Sequence, residues 1–365
     1  MLALWSFAVA LLQACGQTTV SYFLARLLGA KPDTLRQRLR EFCFDAQDKR
    51  GPKRRQLEVE ACFAGLLGWV LGWWKGHQLA LALDATYLGA RFVVLAASVV
   101  YRGCAIPVAW KVLPANRPGS WRGYWVRLLG RLRQDIPRSM TVLVLADRGL
   151  YARWLFRRIR RLGWHPLLRV NGQGHFRPAE AKVFRPLASF AAEPGRRWSG
   201  RGTAFTKPES RLDCTLLACW EEGQKEPWLL LTDLPPEAAQ ASWYGLRAWV
   251  EHGFQVHKRG GWQWQRSRLT HPRRAARLWL VMAVATLWLV SVGGLAEVSL
   301  PEGTLEDVTD LLAQQRRARR ATRRRQLSVF RQGWIELLVA LLQQLGLPRR
   351  GFRPEPWPDW PAAPP

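Results

Sequence analysis

The sequence predicts an α/β fold: a mixed five-stranded sheet flanked by helices, with a β-rich insertion and helical N- and C-terminal regions. Three observations predict it. Apolar runs of strand length recur at Leu79–Leu83, Phe92–Tyr101, Ala105–Leu113, Val142–Ala146 and His165–Val170, the first three separated by turns containing Gly89 and Gly103. Helical stretches near Trp121–Leu132 and Tyr151–Arg161 fall between the later runs. The resulting order, β-β-β-α-β-α-β-α, joins an antiparallel meander to right-handed crossovers.

The 365 residues exceed one typical core, so two or three structural units are expected. Residues 1–75 read as a helical N-terminal DNA-binding region. Its opening run Leu2–Leu12 is apolar but lacks a basic leader and a convincing cleavage site, which makes it a buried helix. Gln17–Phe44 reads as helix, turn, helix. Asp33 or Thr34 is expected to cap the second helix, whose Arg36, Arg38 and Arg40 suit phosphate contact.

Residues 76–170 form the first part of the core and 171–242 the insertion, in which Leu212–Trp220 pairs with Trp228–Leu234 as a hairpin. The second part of the core, 243–300, opens with a helix from about Gln240 through Lys258. It continues with Leu278–Val292, whose roughly 15 apolar residues fall short of the ~20 that span a bilayer, so a core helix and no membrane are expected. Residues 301–350 are basic and helical, with seven arginines between Arg316 and Arg325, and Val329–Leu345 can be a dimer helix or a core lid. The Pro-rich tail 351–365 is expected to be disordered.

Lys and Arg number 55 against 27 Asp and Glu, a formal charge of +28 that points to a polyanion, with nucleic acid ahead of anionic membrane. The six cysteines are scattered, without a paired Cys-x-x-Cys or a nearby His cluster, which argues against zinc and for a reduced cytoplasmic compartment.

The chemistry sits at strand ends. Leu81-Ala82-Leu83-Asp84 closes one apolar strand with a carboxylate, and Val144-Leu145-Ala146-Asp147 closes another. If the strands are neighbours, both acids meet at the carboxyl edge of the sheet, where open α/β sheets bind ligands. Tyr244, Arg247, Glu251 and Lys258 follow at offsets 0, 3, 7 and 14. On a helix of ~100° per residue they share an arc about 60° wide. The same stripe also fits a solvated face whose Arg247–Glu251 pair contributes only about 0.3–0.5 kcal/mol.

With these residues the sequence resembles the DDE transposases of bacterial insertion sequences, in the group defined by Tyr-x2-Arg-x3-Glu-x6-Lys, the insertion-sequence family four type. The likeness covers roughly 79–293. It implies an RNase H-like core with a β-rich insertion before the glutamate helix. It further implies Asp84, Asp147 and Glu251 as the catalytic, metal-holding triad, with Arg247 and Lys258 on DNA phosphates and Tyr244 on the terminal nucleotides. The implied cofactor is Mg²⁺ or Mn²⁺, two ions per site, which suits carboxylates. The implied partners are terminal inverted repeats, target DNA and a second copy of the chain. Trp198, Trp220 and Trp228 compete as a base-stacking residue. Two rival readings keep these residues: an RNase H-like nuclease without strand transfer, and a decayed DNA-binding protein.

Overall fold

A computed structural model of the chain describes residues 1–50, 54–117, 119–299 and 327–358. Strands β1 (Gln78–Leu88), β2 (Phe92–Tyr101) and β3 (Cys104–Pro114) form the expected antiparallel meander. The β2–β3 turn is two residues long, with Arg102 at φ 44° and Gly103 at φ 78°. Positive φ at both positions matches the right-handed twist of the strands it joins. Every residue of β2 is buried, because helices cover both faces of this part of the sheet and leave no side for polar alternation.

From β3 the chain crosses through α5 (Arg122–Asp135; α1–α4 are given below) to β4 (Thr141–Ala146), which lies parallel to β1. It then passes through α6 (Arg153–Arg161) to β5 (His165–Arg169), parallel to β4. The order β3-β2-β1-β4-β5 is compatible with an RNase H-like core.

The sheet does not stop at five strands. Residues 171–242 contribute β6 (His175–Pro178), β7 (Arg185–Pro186), β8 (Arg197–Ala204), β9 (Leu212–Cys219) and β10 (Trp228–Thr232), and all join the same sheet to make ten. The junction is β10 beside β5, antiparallel, with Leu231 opposite Leu168. Without it β5 would expose a row of unpaired backbone donors and acceptors. The expected hairpin is present, with Trp228 opposite Cys219.

The helices pack around a long central one. Helix α8 (Pro272–Ser299) extends the expected Leu278–Val292 at both ends to 28 residues. It is long and apolar enough to cross a membrane, yet 83% of its most apolar stretch is buried inside the fold. Helix α9 (Val329–Leu342) crosses it backbone to backbone: a Cβ on Gly333 would stand 1.9 Å from the Leu289 carbonyl oxygen.

The N-terminal helices α1 (Leu2–Leu12) and α3 (Pro32–Cys43) dock on α8, α2 (Gln17–Leu28) packs on α1 and α3, and α4 (Phe63–Trp73) leads into β1. The buried Arg277 of α8 fastens this region, meeting Asp45 at 2.6 Å and donating to the Cys43 and Leu57 carbonyls at 2.7 and 3.0 Å. Neither Asp33 nor Thr34 caps α3. Pro32 opens the helix after Lys31, whose side chain makes no capping bond, and Asp33 falls in the first turn. Proline at the first position needs no N–H partner, so the start is set by backbone geometry. Arg36, Arg38 and Arg40 are exposed as expected.

The expected disordered tail begins instead with packed chain. Phe352 is buried between Trp74 and Tyr101, and the Lys75 N–H donates to its carbonyl at 3.0 Å. Apolar burial and these backbone bonds offset the ordering cost that proline-rich composition alone suggested. Residues 359–365 and the Arg316–Arg325 run lie outside the described residues.

Candidate active site

The sheet fixes two of the carboxylates. The last residue pair between the parallel strands β1 and β4 is Leu83 opposite Ala146, so Asp84 and Asp147 follow side by side at the carboxyl edge. Asp84 does not close its strand as expected: β1 runs on to Leu88, still paired with β2, and the Asp84 Oδ1 accepts from the Ala85 N–H at 2.8 Å. Asp147 turns the chain, its Oδ1 accepting from the N–H groups of Gly149 and Leu150 at 3.0 and 3.1 Å.

The third carboxylate comes from the segment after the insertion, and here the predicted single helix is corrected. Ala241–Ala248 winds as 3-10 helix, and only α7 (Trp249–His257) is α-helical. The 100° spacing therefore fails before Trp249, and Tyr244 does not join the outward stripe. It is 5% exposed, with its ring edge-on to Trp228 at 5.2 Å. Helix α7 buries Val250, Gly253, Phe254 and His257, one face at i, i+3, i+4, i+7 spacing. Gly253 permits close approach to β3, since a Cβ there would meet Ala105 at 3.0 Å. Lys258 lies just past the last turn of α7.

These elements converge on Arg247. Its Nη2 donates to Asp84 Oδ2 at 2.8 Å and to Asp147 Oδ2 at 3.4 Å, and its Nη1 donates to Glu251 Oε1 at 2.7 Å. Side-chain exposure rises outward through the group: Asp84 12%, Arg247 16%, Asp147 34%, Glu251 61%. Burial pushes the Asp84 carboxyl above its usual range against the pull of the Arg247 charge, and the Asp147 and Glu251 charges add to the rise. Burial opposes the charge on Arg247, but Asp84, Tyr244, Asp147 and Glu251 together hold its pKa above the ordinary value. Burial pushes the Tyr244 phenol up to about 12, so it is neutral at physiological pH.

Lys258 Nζ donates to Thr86 Oγ1 at 2.7 Å. Thr86 is two residues beyond Asp84 on the same face of β1, a signal available in the sequence but not read there. Burial lowers the pKa of Lys258. Also unread was Glu226, in the turn between β9 and β10, which pairs with Arg148 at 2.8 Å and Arg169 at 2.9 Å and so ties the insertion to the segment carrying Asp147. Of the competing tryptophans, Trp228 lies against Tyr244. Trp198 packs with Phe176 and Phe190, and Trp220 Nε1 donates to the Gln224 carbonyl at 3.0 Å.

Among the described residues no group of three or more His, Cys, Asp or Glu side chains forms a ready metal cluster; the three acids are instead spaced around a guanidinium. The donor set nevertheless fits a hard divalent cation. It is all carboxylate oxygen, and it already shares one positive group.

A family model described as the transposase DDE domain matches residues 90–288, more than half of the chain. The chain belongs to the DDE transposase-domain family. Asp147 and Glu251 lie within the matched segment; Asp84 precedes it by six residues and is joined to the others by strand pairing and by Arg247. No curated protein matches the chain. The DDE transposase family implies a DNA-binding nuclease or transposition enzyme, and its members generally use divalent metal ions.

Proposed function

We propose that this DDE-family chain is a cut-and-paste transposase of the Tyr-x2-Arg-x3-Glu-x6-Lys group, acting on nucleoid DNA in the cytoplasm, with Asp84, Asp147 and Glu251 as its catalytic carboxylates. The observation that carries the reading is the meeting of all three acids on one guanidinium, from within β1, from the end of β4 and from α7, far apart in sequence. A merely solvated helix face would leave Arg247 with Glu251 alone.

In this reading the three carboxylates would hold two Mg²⁺ or Mn²⁺ ions. When bound, such ions neutralise charge at phosphorus, favour an attacking oxyanion and stabilise the leaving oxygen. Asp84, fixed in its strand, would hold them together with Asp147 and Glu251. Lys258 and Arg247 hold phosphates flanking the cut, whereas Tyr244, 5% exposed and packed on Trp228, would have to be uncovered before it could meet the terminal nucleotides.

Water adds to phosphorus at the element end and the 3′ oxygen leaves as a hydroxyl. That hydroxyl then attacks a target phosphodiester, forming one P–O bond as another breaks, so no external energy source is needed. The work on two element ends is that of a homodimer on paired inverted repeats.

The test is incubation of the protein, with Mg²⁺ or Mn²⁺, with DNA carrying the element's flanking inverted repeats and a target plasmid, beside Asp84→Ala, Asp147→Ala and Glu251→Ala. Expected are cuts at the repeat ends and joined products, both lost in each variant while DNA binding persists. Cuts without joined products would indicate a nuclease. Cleavage surviving in any one variant would remove that acid from the triad.

A further inference from the structure

We propose that Arg247 serves two partners in turn: in the free protein it is the resident cation of the carboxylate cluster, and divalent-cation binding displaces it so that it becomes free to grip a DNA phosphate. This rests on the reading of Asp84, Asp147 and Glu251 as a cation site, and adds an order of events to it.

The geometry carries the inference. One guanidinium has five donors in a planar fork, and Arg247 uses both terminal nitrogens on three carboxylates at 2.7, 2.8 and 3.4 Å. Among the described residues, no other cation forms an ion pair with any of the three acids. The second cation of the motif, Lys258, donates to the Thr86 hydroxyl instead. Arg247 Nη2 engages the Oδ2 atoms of both Asp84 and Asp147, whose Oδ1 atoms already accept backbone N–H groups, so a divalent ion held by those two acids would draw on the same Oδ2 atoms. Guanidinium and divalent ion are therefore competitors.

The remaining Arg247 nitrogen, Nε, is buried with no hydrogen-bond partner. The side chain is thus incompletely satisfied in this position, which lowers the cost of leaving it. Its departure from a buried site without replacement would leave three like charges together, so the guanidinium holds the cluster in the metal-free state. Held this way, its two terminal nitrogens are spent on carboxylates and cannot also grip a phosphate. A protein organised like this couples phosphate capture at the cut to cation loading, and off-site DNA held before loading is not gripped by this arginine.

The first arm of the test measures Mn²⁺ binding calorimetrically, without DNA, for the wild type, Arg247→Gln, Arg247→Lys and Asp84→Asn. Removing the competitor should tighten Mn²⁺ binding by about tenfold or more in Arg247→Gln. Arg247→Lys, which keeps the charge but loses the fork, should fall between the two, and it carries the test if the Gln variant does not fold. Asp84→Asn should lose the site. Binding equal to or weaker than wild type in both Arg247 variants, with Asp84→Asn defective, overturns the inference and leaves the carboxylate site standing. Unchanged binding in Asp84→Asn overturns the carboxylate site itself.

The second arm follows binding of a short duplex against salt, with and without Ca²⁺. Only with Ca²⁺ should the wild-type slope exceed that of Arg247→Gln, by about 0.9 for one added phosphate contact. A slope difference of the same size without Ca²⁺ would mean that Arg247 grips phosphate in both states, and the hand-over would be wrong.

Discussion

Asp45→Ala should destabilise the whole chain although it lies far from the acids in sequence. The Arg277 and Asp45 side chains are 3% and 7% exposed, and each guanidinium nitrogen donates to one partner, Nε and Nη1 to carbonyls and Nη2 to the Asp45 carboxylate. Removing the carboxylate leaves a buried charge without its counter-ion, which costs about 3–5 kcal/mol. At about 2 °C per kcal/mol for a chain of this size, the thermal midpoint should fall by about 6–10 °C. The double variant Asp45→Ala/Arg277→Met should recover part of the loss, because no unpaired charge then remains. Circular dichroism melts at fixed salt read this directly.

The pH dependence follows from the same pair. Burial works to raise the Asp45 carboxyl, but the hydrogen bond and charge of Arg277, with Arg273 and His271, outweigh it and hold the pKa below its ordinary 3.8. A carboxylate depressed in the folded state stabilises above its unfolded pKa and loses that contribution as pH falls through the folded value. The gap between wild type and Asp45→Ala should therefore be full at pH 7 and narrow below about pH 4. A shift under about 1 °C at pH 7 would refute the view that this pair fastens the N-terminal helices to the core.

Lys258→Ala should weaken DNA binding uniformly across sequences and flatten the salt slope by about 0.9, so that the wild-type advantage shrinks about 3.5-fold between 50 and 200 mM salt; fluorescence anisotropy at several salt concentrations checks it. Gly333→Ala should lower the melting midpoint, since its Cβ would stand 1.9 Å from the Leu289 carbonyl and force α8 and α9 apart at about 1–3 kcal/mol or more. Gly346→Ala, with nothing within 4 Å, is the control and should stay within about 0.5 kcal/mol of wild type in the same melts.

Local pattern made some of this legible and long-range contact made the rest invisible. The apolar runs leading to Asp84 and Asp147 mark two strands, which pair in parallel as a β-α-β crossover allows, but only β4 ends at its acid, while β1 runs on to Leu88. Arg247 and Glu251 stand four residues apart, and their contact survives the change from 3-10 to α winding between them. Tyr244 was misread because helix type is set by what the segment packs on, here Trp228 from the insertion, and not by residue spacing. The ten-stranded sheet depends on β10 meeting the edge of β5, about sixty residues apart in the chain, which no local period encodes. The packed start of the tail likewise depends on one phenylalanine finding Trp74 and Tyr101.

The two ends of the acidic cluster are built to different stiffness. Asp84 belongs to a strand paired on both sides, to β2 and β4, so moving its carboxylate means shifting the middle of the sheet. Glu251 stands on the two-and-a-half-turn helix α7, reached through the 3-10 segment. That segment is held from outside: Ser242 Oγ donates to the Pro358 carbonyl at 2.5 Å, and Trp243 packs on Trp357 with ring centres 4.9 Å apart. Exposure follows stiffness, from 12% at Asp84 to 61% at Glu251. On this arrangement a bulky polyanion should reach the cluster from the more exposed Glu251 side, with any adjustment expected in α7 and its clasp and not in the sheet that carries Asp84.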